Sequence, residues 1–196
     1  MIKIGITGEM GSGKTYCSKI FGQLGVPIFY SDDISKRLVN TNQKLKLEIC
    51  EEFGNIYNED GLIIPKLLRD IVFIPGGEPR LKRLNEIIHP YVFNEFELFC
   101  SENSRSKYVL AESALIYESN MRSFVDKVIY VCVDEQTRIK RTLERSGYTE
   151  QEYKQRMKTQ INPETKKKLS DFIIYNNEGD DINEQILNIH NHFTYS

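Results

Sequence analysis

The stretch Gly8-Glu9-Met10-Gly11-Ser12-Gly13-Lys14-Thr15 constrains this chain more than any other. It fits G-x-x-x-x-G-K-[ST], and its flanks are those the pattern requires. Ile2-Lys3-Ile4-Gly5-Ile6-Thr7 alternates as a β-branched strand, and Tyr16-Cys17-Ser18-Lys19-Ile20-Phe21 continues as a helix. A strand, a glycine loop and a helix N-terminus together form a phosphate cradle. The glycines let successive N–H groups turn inward, where they and the helix dipole bind an anion. Lys14 is placed to reach the β- and γ-phosphates, and the Thr15 hydroxyl to take one place on Mg²⁺. Glu9 puts an anion into a loop built for anions, so its side chain must point away from the phosphates. The alternative is a glycine-rich turn with a chance lysine. Four fixed positions met in the right context favour a nucleoside triphosphate site.

The rest of the composition narrows the class. The chain has 196 residues, enough for one domain with a full core and an embedded subdomain. Its 26 basic and 28 acidic residues give a net charge of −2, which argues against general nucleic-acid affinity. No basic-then-apolar leader is expected, since the chain enters a strand at once. The apolar run Val128 to Val133 is far too short to span a bilayer. Cys17, Cys50, Cys100 and Cys132 are widely spaced, with no histidines in metal-ligand spacing, and read as small hydrophobes of a reducing cytoplasm. Nothing specifies a protein partner, and a monomer or weak homo-oligomer is the expectation.

Strands alternate with helices along the chain. Glycine after Leu24 closes the first helix, and Val26 to Tyr30 reads as a second strand. It runs into Ser31-Asp32-Asp33, where parallel α/β sheets put their ligands; Ser31 can cap the next helix while an aspartate faces the site. Residues 42–104 read as helices broken by Asn58-Glu59-Asp60-Gly61 and by Pro75 to Pro79, a candidate substrate-binding insertion. His89 precedes Pro90 within it, which by itself suits a structural helix end as well as a functional residue. Lys107 to Ala111 is a third strand, ending in Glu112-Ser113, and Glu112 at such a tip can order Mg²⁺ through water or bond the substrate. Lys127 to Val133 reads as a central strand covered on both faces. Arg138, Arg141 and Arg145 then share a helix face, either as a solvated stripe or as part of a mobile lid. That lid would run over about 138–165, with Gly147 as hinge and a second helix carrying Arg156 and Gln160. Lys166-Lys167-Lys168 is expected to be a solvated run. Phe172 to Tyr175 is the last strand, ending in Asn176-Asn177, and Ile182 to Phe193 the last helix.

These elements predict an α/β fold: a doubly wound, parallel, five-stranded sheet with right-handed crossovers, a helical acceptor-binding insertion and a helical lid. The expected division of a single 1–196 domain is a core of about 1–40, 105–135 and 170–196, with the insertion at about 42–104. The chain has no Asn-Lys-x-Asp guanine-reading tetrad. An arginine-rich lid with a helical insertion suits phosphoryl transfer to a small, shielded acceptor. A kinase of another acceptor, or a nucleotide-binding regulator without turnover, are the rival readings.

The series also resembles a known family, the dephospho-coenzyme A kinases. The resemblance covers nearly the whole chain. It runs through the loop Gly8 to Thr15, Tyr30-Ser31-Asp32-Asp33 against an Asp-x-Asp motif, and Asn85 to Val92 against Asn-x-x-x-His-Pro-x-Val. It continues through Glu112 to Glu118, Arg141 and Arg145, Arg156-x-x-x-Gln160, and Ser170 to Asn176. It implies ATP-dependent phosphorylation of the ribose 3′-hydroxyl of dephospho-CoA, the last step of coenzyme A biosynthesis, in the cytoplasm and with Mg²⁺. Asp32 would take the proton from that hydroxyl, and Arg141 would meet the transferring phosphoryl group. Arg145 would bind ATP, and Asn176 would belong to the adenine pocket. His89, Glu112 and Arg156 would lie on the acceptor side. ATP and dephospho-CoA would be the partners, with neither nucleic acid nor membrane. Tyr30 stands where the family has its first acid, and Ala114 where it has a proline.

Overall fold

Ile4 and Ile6 point to one side of the strand Ile2–Thr7 (β1) and Gly5 to the other, and this alternation sets the layers of the fold. The computed structural model describes residues 1–72, 78–146 and 160–195. After β1 come α1 (Lys14–Gln23), β2 (Ile28–Tyr30), α2 (Ser31–Thr41), α3 (Gln43–Phe53), α4 (Pro65–Val72) and α5 (Glu78–Glu102). Then follow β3 (Tyr108–Glu112), a 3₁₀ turn at Asn120–Phe124, β4 (Lys127–Cys132) and α6 (Glu135–Ser146). The chain closes with α7 (Pro163–Leu169), β5 (Phe172–Tyr175) and α8 (Ile182–Tyr195). The five strands are all parallel, as the sequence predicts, and stand in the order β2-β3-β1-β4-β5. β1 holds the centre. β4, with its long apolar run, is an inner strand one place away, between β1 and β5.

The chain divides into two compact units, residues 1–30 with 99–196, and residues 31–98. In the first, Ile4, Ile6, Ile129, Val131 and Ile174 form a core with Cys17 and Phe21 of α1 and with Ile186, Ile189 and Phe193 of α8. On the opposite face of β1, Ile116 packs over Gly5: a Cβ there would stand 2.5 Å from Ile116 Cδ1, and that side chain would have to shift to admit it.

The second unit is helical. Asn42 caps α3 by accepting the Leu45 N–H at 3.0 Å, and Pro65 opens α4 where its missing N–H costs nothing. The turn predicted at Asn58–Gly61 forms, with Gly61 at φ 72 and its N–H bonded to Asn58 O at 2.9 Å. Lys46 Nζ donates to Gly61 O at 2.6 Å, and Asn40 Oδ1 accepts the Ile63 N–H at 2.8 Å. α5 does not end at His89–Pro90, and Pro90 lies inside it. An internal proline costs about 3 kcal/mol. Ile87, Ile88, Val92 and Phe93 are buried on both sides of it, and that packing outweighs the lost hydrogen bond. The break expected at Pro75 to Pro79 falls mostly on residues outside the described ones; Pro79 lies in the first turn of α5.

Candidate active site

The cradle is built at the junction of β1 and α1. Gly11 and Gly13 adopt φ values of 84° and 88°, the left-handed region that an L side chain avoids. Space forbids a side chain as well. A Cβ on Gly11 would stand 2.4 Å from Arg138 O, and one on Gly13 would stand 2.1 Å from Asn176 Nδ2. Gly13 is also the N-cap of α1, so the cap residue has no side chain to bond the helix end, and the first turn carries no acidic residue. The N-terminal N–H groups and the positive end of the dipole are thus left to an anion. Lys14 and Thr15 open the helix and are half-buried. Ser12 N–H bonds back to Glu9 O at 3.1 Å, closing the turn that contains Met10.

Two further contacts tie the loop to neighbouring elements. Thr15 Oγ1 donates to Glu112 Oε1 at 2.9 Å, across from the C-terminal tip of β3. Glu112 is 7% exposed and in register with Ile6 of β1 and Tyr30 of β2, so the sheet holds its carboxylate in place. Asn176 follows β5, anchored by its N–H to Cys132 O at 2.8 Å, and its Nδ2 donates to Ser12 O at 2.7 Å. Arg141 Nη1 donates to Asn176 O at 3.2 Å, which brings that guanidinium to the loop side of α6. Asp134 caps α6 through the Thr137 N–H at 2.8 Å, and that bond holds its carboxyl below the usual value. Cys17, on the first turn of α1, is buried and its thiol is pushed up to about 12, chiefly by desolvation, so no thiolate stands beside the loop.

The other residues singled out in the sequence lie elsewhere or outside the described residues. Asp32 and Asp33 are exposed in the first turn of α2, and Asp33 pairs with Lys36 at 3.3 Å. Ser31 is buried and its Oγ makes no hydrogen bond among the described residues, so it does not cap α2. His89 stacks near Phe93, ring centroids 5.7 Å apart, and burial lowers its pKa, favouring neutral imidazole. Arg156 and the expected hinge at Gly147 fall outside the described residues, and of Arg145 only the backbone, in α6, is described.

One sequence alternative and one expectation fall. Of the two readings of the arginines on α6, the solvated stripe fails for Arg138: it is 7% exposed, with Nη1 3.5 Å from Glu9 Oε2. Lys166 is not solvated either. It is fully buried, 2.7 Å from Glu118 Oε1, while Lys167 lies over the Tyr175 ring at 5.0 Å. Nothing in three consecutive lysines marks which one turns inward. Tyr130 did carry a signal, because a phenol inside an apolar strand needs a partner for its hydroxyl. A groove of about 890 Å³ runs beside this cluster, lined by Tyr130, Cys132, Asp134, Arg138, Lys167 and Tyr175 among others.

The family model of dephospho-CoA kinase matches residues 2–181. The chain belongs to the dephospho-CoA kinase family. A dephospho-CoA kinase from Shouchella clausii is 34% identical over 179 residues, covering 90% of each chain. Among solved structures, TT1252 from Thermus thermophilus superposes with a TM-score of 0.80 at 26% identity, covering 98% of this chain and 97% of its own. The dephospho-CoA kinase from Campylobacter jejuni shares the fold at a TM-score of 0.64 and 23% identity, covering 99% of this chain and 98% of its own. As a member of this kinase family, the chain uses a nucleotide as its phosphoryl donor.

Proposed function

We propose that this protein transfers the γ-phosphoryl group of ATP to the ribose 3′-hydroxyl of dephospho-CoA, giving coenzyme A and ADP. The observation that carries the reading is the Gly8–Thr15 cradle, with its glycine-capped helix end and its Thr15–Glu112 bond, in a chain matched to the family from residue 2 to 181.

The roles follow from the groups present. The loop N–H groups and Lys14 hold the β- and γ-phosphates, and Lys14 supplies the charge that offsets the negative charge of transfer. Thr15 donates its hydroxyl hydrogen bond to Glu112, which leaves the lone pairs of its oxygen for a cation. That pair offers oxygen ligands only, which suits a hard cation completed by phosphate oxygens. Magnesium bound with ATP would be held by Thr15 directly and by Glu112 through water, and would neutralise charge on the phosphate oxygens. Arg141 meets the transferring group, and Arg145 assists in holding ATP. Asn176 borders the adenine while its side chain keeps Ser12 in place.

On the acceptor side, Asp32 orients the ribose hydroxyl and takes its proton late in transfer. It stands two residues beyond Tyr30, which is in register with Glu112. His89, Arg156 and Glu112 complete acceptor binding, the insertion at about 42–104 holds the pantetheine arm, and 138–165 acts as a lid that excludes water. The reaction is placed in the cytoplasm, with the protein as a monomer or weak homo-oligomer. No helix among the described residues is long and apolar enough to cross a membrane.

The test is an acceptor comparison with MgATP, reading product by mass. Dephospho-CoA is expected to exceed adenosine and the nucleoside monophosphates in kcat/KM by orders of magnitude. Comparable turnover of a nucleoside monophosphate would assign the protein to a different acceptor.

A further inference from the structure

Glu9, the second residue of the phosphate loop, is 2% exposed, and its carboxylate meets side chains from three elements. Tyr130 of β4 donates its hydroxyl to Oε2 at 2.5 Å. Arg138 of α6 brings Nη1 to 3.5 Å from the same oxygen, and Lys166 of α7 brings Nζ to 3.7 Å from Oε1. Lys166 continues to Glu118 Oε1 at 2.7 Å, and that oxygen also accepts the Ile161 N–H at 2.9 Å. Glu9, Glu118, Arg138 and Lys166 together balance in charge. Burial, followed by the bond to Glu9, holds the Tyr130 phenol well above its usual value, so it stays a donor.

Such a cluster is expensive to desolvate and weak evidence for stability, so its retention under the loop calls for another reason. The geometry supplies one. The carbonyl of Glu9 accepts the Ser12 N–H at 3.1 Å, so fixing Glu9 fixes the turn from Glu9 to Ser12. α6 also passes close to this turn, leaving no room for a side chain: a Cβ on Gly11 would stand 2.4 Å from Arg138 O.

We propose that Glu9 is a positioning residue for phosphoryl transfer: its buried side chain pins the Glu9–Ser12 turn to β4, α6 and α7, and thereby aims the loop N–H groups at the phosphates. This rests on Gly8–Thr15 being the nucleotide cradle. Charge alone gives the opposite sign. A carboxylate near phosphates repels them, so its removal would tighten nucleotide binding by Coulomb's law. Loss of an anchor weakens it.

The experiment titrates MgADP calorimetrically into the full chain and into Glu9→Ala, Glu9→Gln and Tyr130→Phe, with steady-state KM for ATP and for dephospho-CoA. Glu9→Ala is expected to weaken ADP and raise the ATP KM, with the dephospho-CoA KM unchanged. Its kcat should fall by up to about 10²-fold, the loss that a displacement of about 1 Å produces. Glu9→Gln, which still accepts from Tyr130, should recover part of the affinity. If Glu9→Ala does not fold, Tyr130→Phe decides by itself: weakened ADP binding at an unchanged Tm supports the anchor. Wild-type-like or tighter ADP binding in the folded variant overturns it. Failure of the wild type to bind ADP would remove the cradle reading, and this one with it.

Discussion

Asp32 and Asp33 are adjacent carboxylates with different prospects. Asp33 is engaged with Lys36 across one turn of α2, an exposed pair of small consequence. Asp32 is the one the family resemblance makes the proton acceptor. Asp32→Asn keeps the shape and one acceptor oxygen but cannot take the proton, so kcat should fall by about 10²–10⁴-fold with ATP affinity nearly unchanged. Asp33→Asn should stay close to wild type. Steady-state kinetics of both variants check this, and a dead Asp33→Asn beside a live Asp32→Asn would move the motif by one residue. At this scale the loop was legible because each fixed position answers a separate backbone or charge requirement. Lys166 was not, because its burial comes from Glu9 and Glu118, distant in sequence by more than a hundred and by nearly fifty residues.

The join of loop and helix carries the next expectation. Gly13 is both the left-handed N-cap of α1 and the floor on which the Asn176 amide rests. Gly13→Ala adds about 1–2 kcal/mol of backbone strain. It also drives a methyl group into Asn176 Nδ2, breaking the bond to Ser12 O. The variant should lose both thermal stability and ADP affinity, read by Tm and calorimetry. A normal ADP Kd would show that Asn176 does not steady the loop. Element boundaries were legible where capping chemistry is local, as at Gly25, whose φ of 84° follows the end of α1. They were misleading at His89–Pro90, where side-chain packing along α5 overrides a local stop signal.

The whole molecule should respond to its nucleotide. A ligand that binds only the native state at about 100 times its Kd adds about 2.7 kcal/mol to stability. MgADP should therefore raise the Tm of the wild type. Lys14→Met should remain folded, show little of that rise and transfer almost no phosphoryl groups, since methionine fills the space without the charge. Thermal unfolding with and without MgADP, set beside an activity assay, measures both. A Lys14→Met variant with a normal shift and near-wild-type kcat would remove the cradle reading.

The sequence by itself determined the layer order and the cradle. Apolar alternation specifies strands, glycines at positive φ specify the loop, and the order of strands and helices admits few connections. Tertiary structure decided which charges turn inward. β1 took the centre of the sheet although β4 carries the longer apolar run, because strand order is set by pairing among all five. Glu9 reads only as a charge turned away from the phosphates, Arg138 as one of a stripe or a lid and Lys166 as a solvated lysine; they become a buried cluster once β4, α6 and α7 are packed against the loop. Burial of a charge depends on whether a counter-charge and hydrogen-bond partners arrive from elsewhere in the chain. No local window of sequence contains that information.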